Sequence, residues 1–200
     1  MKPDDFRLML ANGEDRNHEF KASFPWSKKT AGETMARVTK TILAMSNMRD
    51  GGTIVIGVAE PIPGTTLWRQ IGVSPGDLET FSFDAVADFV RRYAEPAATF
   101  NFAIFGFESL KYVEIAVVGF QEVPIICRAN YKDILSESAI YVRPRSGRPR
   151  SEPVSNFSDM RELLDLAVER GISKFLRMQH VTRRPGLSDE QQFENQIKGF

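Results

Sequence analysis

The chain has 200 residues, 42% hydrophobic, with 26 Lys plus Arg balanced by 26 Asp plus Glu. This length suits one domain with a substantial core, which argues against global disorder, and the neutral total makes a uniformly basic coat impossible while permitting a local basic face. Cys127 is the single cysteine, so internal disulfides are excluded; this fits a reducing cytoplasm. No apolar run reaches the ~18 residues of a membrane span, and Met1 to Asp5 leads into no stretch resembling a signal peptide.

In chain order, residues 4–12 predict a short helix with Phe6, Leu8, Met9 and Leu10 apolar, ended by Gly13. From His18 to Phe24 the pattern alternates. Phe20, Ala22 and Phe24 point one way and Glu19, Lys21 and Ser23 the other, as in a half-buried strand. After a loop at 25–29, Thr30-Ala31-Gly32-Glu33 reads as a capping box. The helix behind it carries Met35, Val38, Ile42 and Met45 on one stripe, with Arg37, Lys40 and Thr41 largely away from it. Asn47 to Gly52 stops that helix. Thr53 to Val58 is a central strand covered on both faces, and Trp68 to Val73 a short one. Ser82-Phe83-Asp84 opens a second helix that buries Val86, Phe89, Val90 and Tyr93 and stops at Pro96.

Thr99–Phe107 and Tyr112–Phe120 predict a hairpin around Glu108 to Lys111. Pro124–Cys127 and Ile140–Arg143 are shorter strands. Asn156 to Gly171 is a third helix with Met160, Leu163, Leu164, Ala167 and Val168 on its apolar stripe, stopped by Gly171. A further helical piece covers Ile172 to Met178. Beyond Arg183-Arg184-Pro185-Gly186 a polar, loose tail is expected. Strands and helices alternate without the period of a doubly wound fold. The expected class is therefore α+β, a mixed β-sheet packed with two or three helices. One domain is expected over 1–171, with a short helix and tail over 172–200.

Three clusters carry candidate chemistry. Glu14, Glu19 and Glu60 are carboxylates that can meet at one end of neighbouring strands, and hard cations such as Mg²⁺ or Mn²⁺ favour such oxygen ligands. Lys21, on the face of Glu19, can neutralise a phosphate or stabilise developing negative charge. The competing reading makes these solvated acids and Glu19–Lys21 an ordinary same-face ion pair. Arg143, Arg145, Arg148 and Arg150 form the second cluster, in a Pro- and Gly-rich segment without an acid. Guanidinium forks match phosphate oxygens, and Lys28, Lys29, Arg37 and Lys40 can add to the same field. The alternative is a solvated loop with Arg143 paired to a local acid. Third, Gly51-Gly52 can approach a phosphate but lacks the ending of a P-loop, so a tight turn into a strand competes. Phe100, Phe102, Phe105 and Phe107 can stack bases or fill a core. His18 and His180 are too few for a zinc site.

Glu14…Glu19-Phe20-Lys21, the helix end Ile42-Leu43-Ala44-Met45-Ser46-Asn47, and Gly51-Gly52-Thr53-Ile54-Val55-Ile56-Gly57-Val58 resemble the Schlafen AlbA-like (AlbA_2) domain of prokaryotes and animals. Ala139-Ile140-Tyr141-Val142-Arg143-Pro144, followed by a helix, looks like its closing segment. The resemblance spans about residues 10–170 and implies an AlbA-like α+β core in a small cytoplasmic, DNA- or RNA-binding protein. Lys21, Lys28, Lys29 and the arginine segment would contact phosphates. In the Schlafen branch the resemblance also implies a divalent-metal-dependent endoribonuclease acting on structured RNA such as tRNA through three acids. Glu14 and Glu19 match two of them. The third, usually an aspartate, follows the Ile-Gly-Val strand, where Glu60 is the nearby carboxylate. A protein-interaction module, including a homodimer, is the remaining expectation.

Overall fold

The computed structural model describes residues 1–145 and 149–182. In chain order its elements are α1 (Pro3–Asn12), β1 (His18–Lys21), α2 (Lys28–Ser46), β2 (Gly52–Ile56), β3 (Val58–Ala59), β4 (Arg69–Gln70), α3 (Pro75–Leu78), α4 (Phe83–Arg91), β5 (Ala94–Glu95), β6 (Phe100–Phe107), β7 (Leu110–Val117), β8 (Ile126–Cys127), β9 (Tyr141–Val142), β10 (Glu152–Pro153) and α5 (Phe157–Thr182). A four-stranded mixed sheet, ordered β1-β2-β7-β6, organises them. β1 runs parallel to β2, and the other pairs are antiparallel. The β6–β7 hairpin turns through Glu108 and Ser109 at φ 53° and 79°. Two successive positive φ values make the tight two-residue turn whose twist suits a hairpin.

The strand register sorts side chains between two faces. Glu19 lies opposite Ile54 and Phe20 opposite Val55. Ile54, Ile56, Val113, Ile115 and Val117 point toward α2 and α4. There they join Met35, Val38, Ile42, Met45, Val86, Phe89 and Val90 in the larger core. Phe20, Val55, Phe107 and Tyr112 point the other way and are covered by Phe6 and Met9 of α1. The Phe6 ring meets Phe105 and Phe107 edge-on at 5.2 and 5.1 Å. Phe105 and Phe107 therefore serve packing; they form no stacking platform for bases.

Much of the strongest sequence pattern is used to build the fold. Buried Asn47 ends α2 by donating to the carbonyls of Ile125 and Tyr141 at 2.8 and 3.0 Å and accepting from the Ile125 N–H at 2.8 Å. Gly51, at φ 67°, leads into β2; a Cβ there would lie 2.0 Å from the Val117 carbonyl oxygen. The tight-turn reading of Gly51-Gly52 thus has a steric cause.

Several boundaries differ from the pattern-based expectation. β1 ends at Lys21, where its partner β2 breaks at Gly57, φ 111°; the Gly57 N–H donates to the Lys21 carbonyl at 2.8 Å as the last bond of that ladder. α2 starts at Lys28, before the expected box, and Ala31 interrupts it at φ −133°, ψ 25°. Glu33 does not cap it; its carboxylate takes the Lys132 ammonium at 2.7 Å. Thr41 is buried, close to Ser151 of the segment leading to β10. α4 finishes at Arg91, ahead of Pro96. Gly171 does not stop α5, which runs unbroken to Thr182. An interior glycine costs about 1 kcal/mol relative to alanine, too little to force an end. Within α5, Leu163 and Leu166 are buried, whereas Leu164 and Val168 face outward.

Candidate functional site

Glu19 sits on the edge strand β1 with its side chain on the larger-core side of the sheet, only 8% exposed. One carboxylate oxygen receives the Lys21 ammonium, and the other receives Arg143 Nη1 at 2.6 Å. Arg143 follows β9 and is fully buried. Its Nη2 donates to the Asp15 carbonyl at 2.6 Å. The Arg143 carbonyl in turn accepts from Arg16 Nε at 2.6 Å, and Arg16 forks onto both oxygens of Glu162 in α5 at 3.0 and 2.8 Å. Arg145 Nε joins Glu162 at 2.9 Å. One chain of charge thus links β1, the 14–18 loop, the segment after β9, and α5. Burial disfavours the ionised form of Glu162, but the Arg16 and Arg145 hydrogen bonds outweigh it and hold its pKa below the usual value. Charge-assisted, bidentate bonds of this kind are the stronger class.

The proposed three-carboxylate centre is not assembled. Glu14 lies near Glu19, and its Oε1 accepts the Phe20 N–H at 2.7 Å. Burial pushes its pKa up and Glu19 adds to that; the Phe20 N–H, Lys21 and Arg143 offset only part. Glu60 is exposed beyond β3, where its backbone carbonyl accepts from Arg69 at 3.0 Å. Among the described residues no three His, Cys, Asp or Glu side chains group as a metal would require. Both Glu19 oxygens already hold cations, so a divalent ion would have to displace Lys21 or Arg143. Among the described residues Glu14 and Glu19 therefore neighbour one another without a third carboxylate beside them.

The expected phosphate contacts separate in the same way. Arg143 is an internal counter-ion, sealed from solvent; its acid is Glu19, 124 positions away, and not a local one in a solvated loop. Lys21 is half-buried and engaged by Glu19. Arg145 and Arg150 are exposed, paired with Glu162 and Glu152 at 2.9 and 2.6 Å. Lys28 and Lys29 are exposed in the first turn of α2, where no acid offsets them. Arg148, the 183–200 tail and the side chain of His180 lie outside the described residues.

A cleft of about 280 Å³ opens beside the buried network, lined by Arg49, Arg145, Ser158, Arg161, Glu162, Asp165 and Leu166. Arg49 forks onto Glu169 with both bonds at 2.7 Å. Arg161 is exposed and has no carboxylate partner among the described residues. Three guanidinium groups therefore line one concave surface. Arg16, Arg49 and Arg161 were not singled out by sequence reasoning. They lie in separate segments with no local motif, and only the packing of α5 beside the Gly51 turn brings Arg49 and Arg161 together.

The model of the family "Schlafen, AlbA_2" matches residues 14–149. The chain belongs to the Schlafen AlbA_2 family. Its matched region contains β1, α2, the Gly51 turn, β2 and Arg143, whereas Glu162 of α5 lies beyond it. No curated protein matches the chain. Among solved structures, the DIP2311 protein from Corynebacterium diphtheriae is similar at 15% identity and TM-score 0.50, over 80% of this chain and 27% of that one. The chain thus spans about a quarter of that protein. The N-terminal domain of a RecG-related protein from Nitrosomonas europaea is similar at 19% identity and TM-score 0.49, over 78% of this chain and 93% of that domain. Among the described residues no helix is long and apolar enough to cross a membrane.

Proposed function

We propose that this Schlafen AlbA_2 domain binds the phosphate backbone of a nucleic acid at the cleft between the Gly51 turn and α5. The observation that carries this reading is the convergence of Arg49, Arg145 and Arg161 on one surface depression. Guanidinium forks suit phosphate oxygens. Arg49 already holds Glu169, but both side chains are exposed and exposed ion pairs are worth only about 0–1 kcal/mol, so a phosphate can compete for Arg49. Lys28 and Lys29 supply a second, exposed positive site at the start of α2. Membership of the family supports a nucleic-acid-related role.

The test is fluorescence anisotropy with labelled DNA and RNA duplexes across a salt series. Affinity should fall steeply with salt, because bound phosphates release counterions. Arg49→Ala and Arg161→Ala should each weaken binding roughly three- to tenfold and reduce the log–log salt slope by about one. Absence of binding at low salt, or unchanged affinity in the combined Arg49, Arg145 and Arg161 alanine variant, would overturn the reading.

A further inference from the structure

Helix α5 presents two unlike sides. Leu163 and Leu166 pack into the core. On the other side Met160, Leu164, Val168, Ile172, Phe175 and Leu176 are all exposed, from 38% for Met160 to 61% for Val168. Residues spaced by three and four share a helix face, so these six form one continuous apolar stripe. With Phe157 at its N-terminal end, the stripe exposes roughly 750 Å² of apolar side chain, near the about 800 Å² that each partner contributes to a standard interface. Monomeric proteins seldom leave so large a contiguous apolar patch in water. From Gly171 to Met178 every residue except Lys174 is exposed, so this half of the helix has little support from its own domain. Helical segments of this length are marginal without packing.

We infer that this stripe is the self-association surface of the protein, covered by α5 of a second copy. A stripe lying along one helix is met by an identical helix across a two-fold axis, which places the same patch on both sides. Covering most of the stripe on each side approaches the area that a standard interface buries. The residues after Thr182 are a poorer match, since they carry only four large apolar side chains, Leu187, Phe193, Ile197 and Phe200.

Sedimentation velocity on the full chain tests this, from submicromolar to high micromolar concentration. The wild type should be dimeric. Leu164→Glu with Val168→Glu should raise the dimer dissociation constant by roughly a hundredfold or more with unchanged near-ultraviolet circular dichroism. Val168→Cys gives a second measurement that does not depend on tolerance of glutamates. Cys127 is buried, so the new thiol is the accessible one, and a short bismaleimide should yield covalent dimers. A wild type that stays monomeric overturns the inference. So does a wild type whose stripe is protected by the 183–200 segment or by another protein. A dimer that survives both glutamates, with no Val168→Cys cross-link, places the interface elsewhere and also overturns it.

Discussion

Arg143 and Glu19 are both buried, so each charge is tolerable only while the other is present. Arg143 Nε has no hydrogen-bond partner among the described residues, which leaves the pair without full compensation for its desolvation. Removing one member of such a pair costs about 3–5 kcal/mol, because the other is left buried and uncompensated. Arg143→Met and Glu19→Gln should each lower stability in urea unfolding by an amount of that order, moderated for Arg143→Met by Lys21. The double variant should fall short of the sum by about 1–3 kcal/mol, the coupling expected of residues in contact. Additive losses would show that the pair is not coupled. Coupled losses would mean that loss of function on changing Glu19 reflects structure before chemistry.

Glu14 differs because its pKa is raised. A carboxyl held above its unfolded value of 4.5 favours the folded state most below that value, and the advantage is lost as pH rises through the folded pKa. Glu14→Gln keeps an oxygen for the Phe20 N–H but carries no charge. It should raise the melting temperature at neutral pH, and the gain should shrink below pH 4.5. Thermal melts at the two pH values check this; a gain that grows on acidification would contradict it.

Among the elements, the turn between α2 and β2 leaves the least freedom. Gly51 combines φ 67° with backbone of β7 against its Cα. Gly51→Ala adds a Cβ where a carbonyl oxygen already lies, and it also strains φ. A cost of about 2 kcal/mol or more is expected from such incompatible substitutions. It should appear in chemical unfolding as a shifted midpoint with little change in slope. α5 shows the opposite condition. Its first half is fixed by Leu163, Leu166 and the Arg170 bonds to the carbonyls of Gly119 and Arg49, at 3.2 and 2.8 Å. From Gly171 to Met178 its residues are exposed except Lys174, which pairs with Glu122 at 2.6 Å. Core packing decides which apolar positions of this helix point inward, and so Leu164 and Val168 differ from Leu163 despite similar chemistry.

For the whole molecule, a net charge of zero conceals local sorting. Asp4 and Asp5 open α1 on one face of the sheet. Arg49, Arg145 and Arg161 line the cleft beside α5 together with Glu162 and Asp165. A surface field acts over roughly a Debye length, about 8 Å at physiological ionic strength, so such patches operate independently of the total. The salt dependence expected for nucleic-acid binding is a property of this field as a whole.

The sequence by itself determined the hairpin, the inward stripes of α2 and α4, the glycine turn before β2 and the family, because periodicity, turn chemistry and local motifs act over a few neighbouring residues. It also carried the pairing of Glu19 with Lys21, two positions apart on one strand face. Only the tertiary structure decided which distant charges meet. Arg143 reaches Glu19 across 124 positions, and Arg16 reaches Glu162 across 146. Such partners are selected by how the sheet edge, the segment after β9 and α5 pack together. That packing turned an expected phosphate-binding arginine into an internal counter-ion, left Glu60 apart from Glu14 and Glu19, and brought three arginines from separate segments to one cleft.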